Sequence, residues 1–192
     1  PDNKQYFNSL IGSIHITGVS GNTLAKLFNN AWPSTLSFED LLKALVEQTK
    51  LNPQQCHAAL MGFVEEGIIK GYLRFRKLRL ESASTIAKKP KINPALRNLL
   101  LNTQVPAPIS VWNNWHEAVT LSPFDVMIAR RLDGKKLFSE TSNDIEALIT
   151  SPDQARDDER QAIQQFKQTN TSLKMALLQT LKTLLRSGLL VK

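Results

Sequence analysis

The same apolar pattern closes both halves of this 192-residue chain. Leu60, Phe63 and Val64 lead into Gly67-Ile68-Ile69, and Leu181, Leu184 and Leu185 lead into Gly188-Leu189-Leu190, at an offset of 121. Apolar residues three and four apart mark the buried stripe of a helix. A following glycine marks a left-handed end, and an apolar pair beyond it opens an extended segment. Two earlier correspondences support the repeat. Leu24, Leu27, Phe28 and Trp32 align with Phe124, Met127, Ile128 and Leu132 at 100, and Leu42, Ala44, Leu45 and Val46 with Ile145, Ala147, Leu148 and Ile149 at 103. The jump of 18 between the last two alignments falls on the polar stretch 152–170, which contains Asp157-Asp158-Glu159. That stretch is expected to be an exposed helix or a mobile insertion. The chain therefore reads as a tandem repeat of one small fold.

Within the first half, Gly12-Ser13-Ile14-His15-Ile16-Thr17 alternates as a strand does, and Ser20-Gly21-Asn22 punctuates it. A first helix stops at Trp32-Pro33. Ser37 with Asp40 caps a second, and Asn52-Pro53 starts a third, with Gly67 expected as its left-handed end. An extended basic ribbon is expected from Ile68 to Leu80. Strand, three helices and terminal β-structure is the order of a winged-helix domain. The expected fold class is α+β, mainly helical, with two tandem winged-helix-like domains at 1–81 and 111–192. Residues 82–110, interrupted by Lys88-Lys89-Pro90, Pro94, Pro106 and Pro108, are expected to be a linker holding one short helix capped by Asn93. In the second half, Ser122-Pro123 opens a helix and Ser172 opens the strongest one, running to Arg186.

The net charge of +7 is local. Residues 70–97 carry nine basic side chains against Glu81 alone, so the rest of the chain is close to neutral. Arg74, Arg76, Lys77 and Arg79 would line one face of the ribbon and are the candidate anion-facing residues. Such a run serves either an anionic partner, nucleic acid included, or the solubility of a strand edge.

Enzyme chemistry finds little to work with. Cys56 is the only cysteine, which excludes an internal disulfide and a thiolate zinc cluster and fits a reducing, cytoplasmic compartment. His15, His57 and His116 have no metal-ligand spacing. The chain contains no dinucleotide fingerprint, phosphate loop or nucleophile elbow. No apolar run reaches the roughly 20 residues of a membrane span, and no signal pattern stands at the start. The densest unusual segment is Val111-Trp112-Asn113-Asn114-Trp115-His116-Glu117. Trp112 and Trp115 are expected to anchor the linker against a packed surface; the competing view makes Trp112, Trp115 and His116 candidate docking residues.

Two stretches carry a resemblance. One is Ala31-Trp32-Pro33 with Phe38-Glu39-Asp40-Leu41-Leu42; the other runs from Trp115-His116-Glu117-Ala118-Val119-Thr120-Leu121-Ser122-Pro123-Phe124 to Leu132-Asp133-Gly134. Together they resemble the C-terminal region of bacterial S-adenosylmethionine-dependent methyltransferases that carry an appended regulatory domain, a group including protein-lysine methyltransferases of outer-membrane proteins. The resemblance implies a catalytic domain upstream, which would bind S-adenosylmethionine and be one partner of this region, with the protein substrate as the other. It carries no catalytic or cofactor residue onto this chain.

Overall fold

The computed structural model describes residues 5–9, 12–16, 19–76 and 82–192, with backbone only up to residue 19. The described chain is mainly helical, with small two-stranded antiparallel sheets. It divides into two compact units, Pro1–Leu80 and Glu81–Lys192.

The first unit opens on a hairpin, β1 (Gln5–Ser9) with β2 (Gly12–Ile16), in which Phe7 faces Ile14 across the register. Three helices follow: α1 (Val19–Ala31), α2 (Phe38–Gln48) and α3 (Pro53–Ile69). The caps read from the sequence are in place. Ser37 Oγ accepts the Asp40 N–H at 3.0 Å, and Asn52 and Gln55 form a reciprocal capping box with Pro53 in the first turn. Leu24, Leu45, Cys56 and Leu60 are fully buried, and the Phe28 and Phe63 rings stack at 5.9 Å beside them. The Cys56 thiol lies inside this core, 3.5 Å from Thr49 Oγ1.

Three details of this unit depart from the sequence reading. Ser20-Gly21-Asn22 lies inside α1, because tertiary packing of Leu24 and Ala25 outweighs one glycine's poor helix propensity. Gly67 is inside α3, buried, and Ile68 and Ile69 are still helical. The left-handed residue is Gly71, with φ 73°, and the Tyr72 N–H reaches back to the Gly67 carbonyl at 2.7 Å. Residues 73–76 form no strand; Lys77–Leu80 lie outside the described residues, so the expected wing is not established.

The second unit adds elements around a similar order. Strand β3 (Lys91–Ile92) and helix α4 (Pro94–Asn102) precede a hairpin, β4 (Ile109–Trp112) with β5 (Ala118–Leu121). Helices α5 (Pro123–Ala129), α6 (Phe138–Thr150), α7 (Asp157–Lys167) and α8 (Leu173–Arg186) follow, and β6 (Leu190–Val191) closes the unit by pairing with β3. Hairpin, then helices, is thus the element order of both units, with α7 inserted before the last helix.

Residues 82–110 are not a linker. Ile92 and Leu100 are fully buried, and Val105 nearly so. The Ala83 and Asn93 N–H groups bond to Leu190 and Leu189 carbonyls at 3.1 and 2.9 Å, stitching this segment to the end of the chain. Its prolines fall where no ladder donor is required: Pro94 sits in the first turn of α4, behind the Asn93 cap. Nor is 152–170 a loose insertion. Ile163 of α7 joins the core, Ala162 beside it is buried, and the Phe166 ring stacks on Phe124 at 4.3 Å.

The ends of the last helices of the two units correspond, but in a different register. Helix α8 ends as α3 does: Gly188 is left-handed, with φ 69°, and the Leu189 N–H bonds to the Leu184 carbonyl at 2.9 Å. Aligning these ends places Gly71 on Gly188, Leu60 on Leu177 and Gly67 on Leu184, and those last four side positions are all buried. The apolar stripe alone had favoured a register one helical turn away, since positions i and i+4 share a face.

Candidate functional site

The Trp-rich segment forms the tip of the β4–β5 hairpin. Strand alternation sends Ile109 and Val111 inward and Ser110 and Trp112 outward. Val111 is therefore buried, whereas Trp112 is 70% exposed. The turn beyond it is held by one buried side chain. Asn113 Oδ1 accepts the Trp115 and Glu117 N–H groups at 2.8 and 2.9 Å, and its Nδ2 donates to Glu117 Oε2 at 2.9 Å. The Asn113 N–H donates to the Glu117 carbonyl, and His116, with φ 58°, supplies the left-handed residue that lets the chain reverse. The structure thus separates the three candidates. Trp112, expected to pack against a surface, instead projects into solvent because strand parity turns it outward; Trp115 is half-buried in the turn, and His116 is exposed and has a backbone role.

Of the anion-facing candidates, Arg74 and Arg76 are exposed in the segment after α3; Lys77 and Arg79 lie outside the described residues. Among the described residues no group of His, Cys, Asp and Glu has the arrangement of a metal site. No helix among them is long and apolar enough to cross a membrane.

Sequence reasoning missed a buried ionic cluster in the second unit. Arg130, 3% exposed at the end of α5, donates to Asp158 Oδ2 at 2.6 Å and Glu159 Oε1 at 3.2 Å. Its remaining donors go to the Leu100 and Thr103 carbonyls at 2.9 and 2.7 Å. Arg131 clasps Glu159 with two bonds, at 2.9 and 3.0 Å, and the Val105 N–H donates to Asp158 Oδ2 at 2.8 Å. Burial pushes the Asp158 carboxyl upward, but the Arg130 bond, the Val105 N–H and the charges of Arg130 and Arg156 outweigh it and leave it below the ordinary carboxylate range. Glu159 is likewise raised by burial and lowered further by Arg131 and then Arg130, so it too ends below that range. The signal was present as two adjacent acids in α7 and two adjacent arginines directly after α5, but only the fold brings them together. With all three guanidinium nitrogens of Arg130 hydrogen-bonded, the cluster ties α4, α5 and α7 into one body rather than offering a reactive group.

No family model matches this sequence, and no curated protein does. Solved structures do. PKMT2 from Rickettsia typhi superposes with a TM-score of 0.74 at 18% identity, over 100% of this chain and 38% of that one. The same protein in complex with AdoHcy gives a TM-score of 0.71 at 18% identity, over 93% of this chain and 35% of that one. The fold of this chain is therefore found within PKMT2, and the chain spans little more than a third of that protein's length.

Proposed function

We propose that this chain is a non-catalytic regulatory or substrate-recognition region of an S-adenosylmethionine-dependent protein methyltransferase. The observation that carries the reading is the fold match over the full chain to part of PKMT2, a protein-lysine methyltransferase. PKMT2 has been seen with AdoHcy, the demethylated form of the methyl donor, and 62% or more of its length has no counterpart here. On this reading the cofactor belongs to an upstream catalytic domain, which is one partner of this region, and the protein substrate is the other. Both would work in the cytoplasm. Trp112 is the contact residue, because an indole on a rigid hairpin offers a large area with little conformational entropy to lose. The experiment compares this chain with its full-length gene product. The full-length protein should transfer labelled methyl groups to protein, and this chain alone should neither do so nor take up S-adenosylmethionine in calorimetric titration. Micromolar binding by the chain alone sinks the proposal.

A second reading, a tandem winged-helix DNA-binding protein, draws on exposed Arg74 and Arg76. Helix α3 argues against it, turning Met61, Glu65, Glu66, Ile68 and Ile69 to solvent; α8 fits better, exposing Lys174, Gln179, Lys182 and Arg186, although Met175 and Leu178 stand among them. Apolar and acidic side chains suit a phosphate-lined groove poorly. Binding to duplex DNA is expected to be weak, indifferent to sequence and abolished by salt. A sequence-selective complex stable at physiological salt would reverse the order of the two readings.

A further inference from the structure

The two small sheets of the second unit treat their edges differently. In β3–β6 the Asn93 N–H bonds across the pair to the Leu189 carbonyl, so antiparallel alternation turns the backbone groups of Ile92 and Leu190 outward. The fold meets them on both sides. The Ile92 N–H donates to the Leu132 carbonyl at 3.0 Å, and the Leu190 carbonyl accepts the Ala83 N–H at 3.1 Å.

In β4–β5 the phase of the ladder is set at the turn, where the Asn113 N–H donates to the Glu117 carbonyl at 3.0 Å. Trp112 then faces Ala118 and Ser110 faces Thr120 as non-bonded pairs, and these residues turn their N–H and C=O groups away from the hairpin. All of them are exposed, and among the described residues nothing bonds to those N–H and C=O groups. Strand β4 also lacks the usual guards of an edge: Ile109-Ser110-Val111-Trp112 holds no charge and no proline, and its register runs without a bulge. Beside the open groups stands the indole of Trp112, 70% exposed, opposite Ala118.

We infer that β4 takes an extended segment of a partner protein as a third, antiparallel strand. The open groups specify the occupant: donors and acceptors alternate along Ser110–Trp112 as the backbone of another strand requires. A DNA backbone would leave the Ser110 and Trp112 carbonyls without donors. Strand β5 offers the same groups but no large side chain beside them, which assigns the edge to β4. A partner residue opposite Trp112 lies on the indole side of the sheet, where a β-branched side chain packs well. Its neighbours turn to the side of half-buried Ile109 and are apolar. The inference rests on the substrate-recognition reading for the kind of partner and adds how that partner is held.

The test is an NMR titration of the isotope-labelled 192-residue chain. The probe is a short, terminally blocked peptide alternating threonine and valine, N-methylated at its valines. Methylation there stops the peptide pairing with itself and leaves the threonine N–H groups to face β4. Saturable binding is expected, with the Ser110 and Trp112 amide signals moving downfield and those of Ala118 and Thr120 staying in place. Moving the methyl groups to the threonines should abolish binding, a control that leaves the protein unchanged. Ser110→Pro removes an outward donor and spares the ladder, and it should weaken binding about tenfold, as should Trp112→Ala. Circular dichroism and a urea midpoint check that both variants are folded. The inference is overturned if the probe does not saturate, if the threonine-methylated peptide binds equally well, if both folded variants bind as the parent does, or if the shifts gather at Ala118 and Thr120 or away from the hairpin. Methyl transfer by the full-length gene product without edge binding sinks this inference alone; edge binding without methyl transfer sinks only the proposed function.

Discussion

Removing the guanidinium of Arg130 isolates what the buried ionic cluster contributes. In Arg130→Met a chain of similar length fills the space, so the loss is electrostatic and not a cavity. Four hydrogen bonds disappear at once, two to carboxylates and two to carbonyls. Not all of the acceptors are left bare. Asp158 keeps the Val105 N–H at 2.8 Å and Arg156 at 3.4 Å, Glu159 keeps the Arg131 clasp, and the Thr103 carbonyl keeps Arg156 Nη2 at 3.3 Å. The Leu100 carbonyl loses its side-chain donor outright. Breaking one partner of a buried pair costs about 3–5 kcal/mol, and the surviving bonds put this case near the middle, at about 4 kcal/mol.

With a urea dependence of roughly 2 kcal/mol per molar, that loss lowers the unfolding midpoint of the second unit by about 2 M. Hydrogen exchange read peptide by peptide is the assay, because the two units need not unfold together. Protection should fall in α4, α5 and α7 and stay unchanged in α1, α2 and α3. A loss below about 1 kcal/mol would mean that the cluster is hydrated in solution, and the reasoning from burial fails. A loss spread equally over both units would fail it in a different way, by showing that they share one folding transition.

Four further outcomes follow from the geometry. Asp158 and Glu159 are held below the ordinary carboxylate range, so the unfolded chain binds more protons than the folded one as pH falls; their contribution is present above roughly pH 4 and is lost below it, and exchange protection in α5 and α7 should drop there before that of the first unit. Gly67→Ala should destabilise the first unit by about 1–3 kcal/mol despite alanine's better helix propensity, because the new Cβ would stand 2.6 Å from Leu73 side-chain atoms; Leu73→Ala in the same chain should recover part of the loss in a urea-denaturation double-mutant cycle. Gly188→Ala should cost about 1–2 kcal/mol for a different reason, its φ of 69°, and should shift the midpoint of the second unit. Trp112→Ala should change thermal stability by no more than about 0.5 kcal/mol, whereas Trp115→Ala, which removes a half-buried ring, should lower it measurably.

Local chemistry was readable in the sequence. Caps at Ser37, Asn52, Asn93, Ser122 and Ser172 stand where serine and asparagine before an apolar stripe place them, because capping is decided within four residues. The order of the helices was readable too, but β1, β3 and β4 were not, and the extended ribbon expected from Ile68 is still helix at Ile68 and Ile69 and no strand over residues 73–76. Composition misled at 82–110 and 152–170. Prolines and charges there look like a connector, yet a few side chains, Ile92, Leu100, Ala162 and Ile163, carry the burial, and polarity averaged over a window hides them. The candidate site was half legible. Tryptophans flagged the hairpin, but which indole faces solvent depends on strand parity, and parity required the register of β4 on β5.

The same limit explains the one-turn slip in the repeat, and the correction bears on function. Helical periodicity determines a face but leaves the position along the axis open by four residues, so only the end of the helix can set it. The matching ends, Gly71 with the Tyr72 N–H and Gly188 with the Leu189 N–H, put Met61 opposite Leu178 in the repeat. Each is 43% exposed. The two units therefore present an apolar residue at the same place on the same helix, on the face a DNA-reading helix would fill with arginine, asparagine or glutamine. An exposed apolar side chain at that position in both units fits base-edge contact poorly.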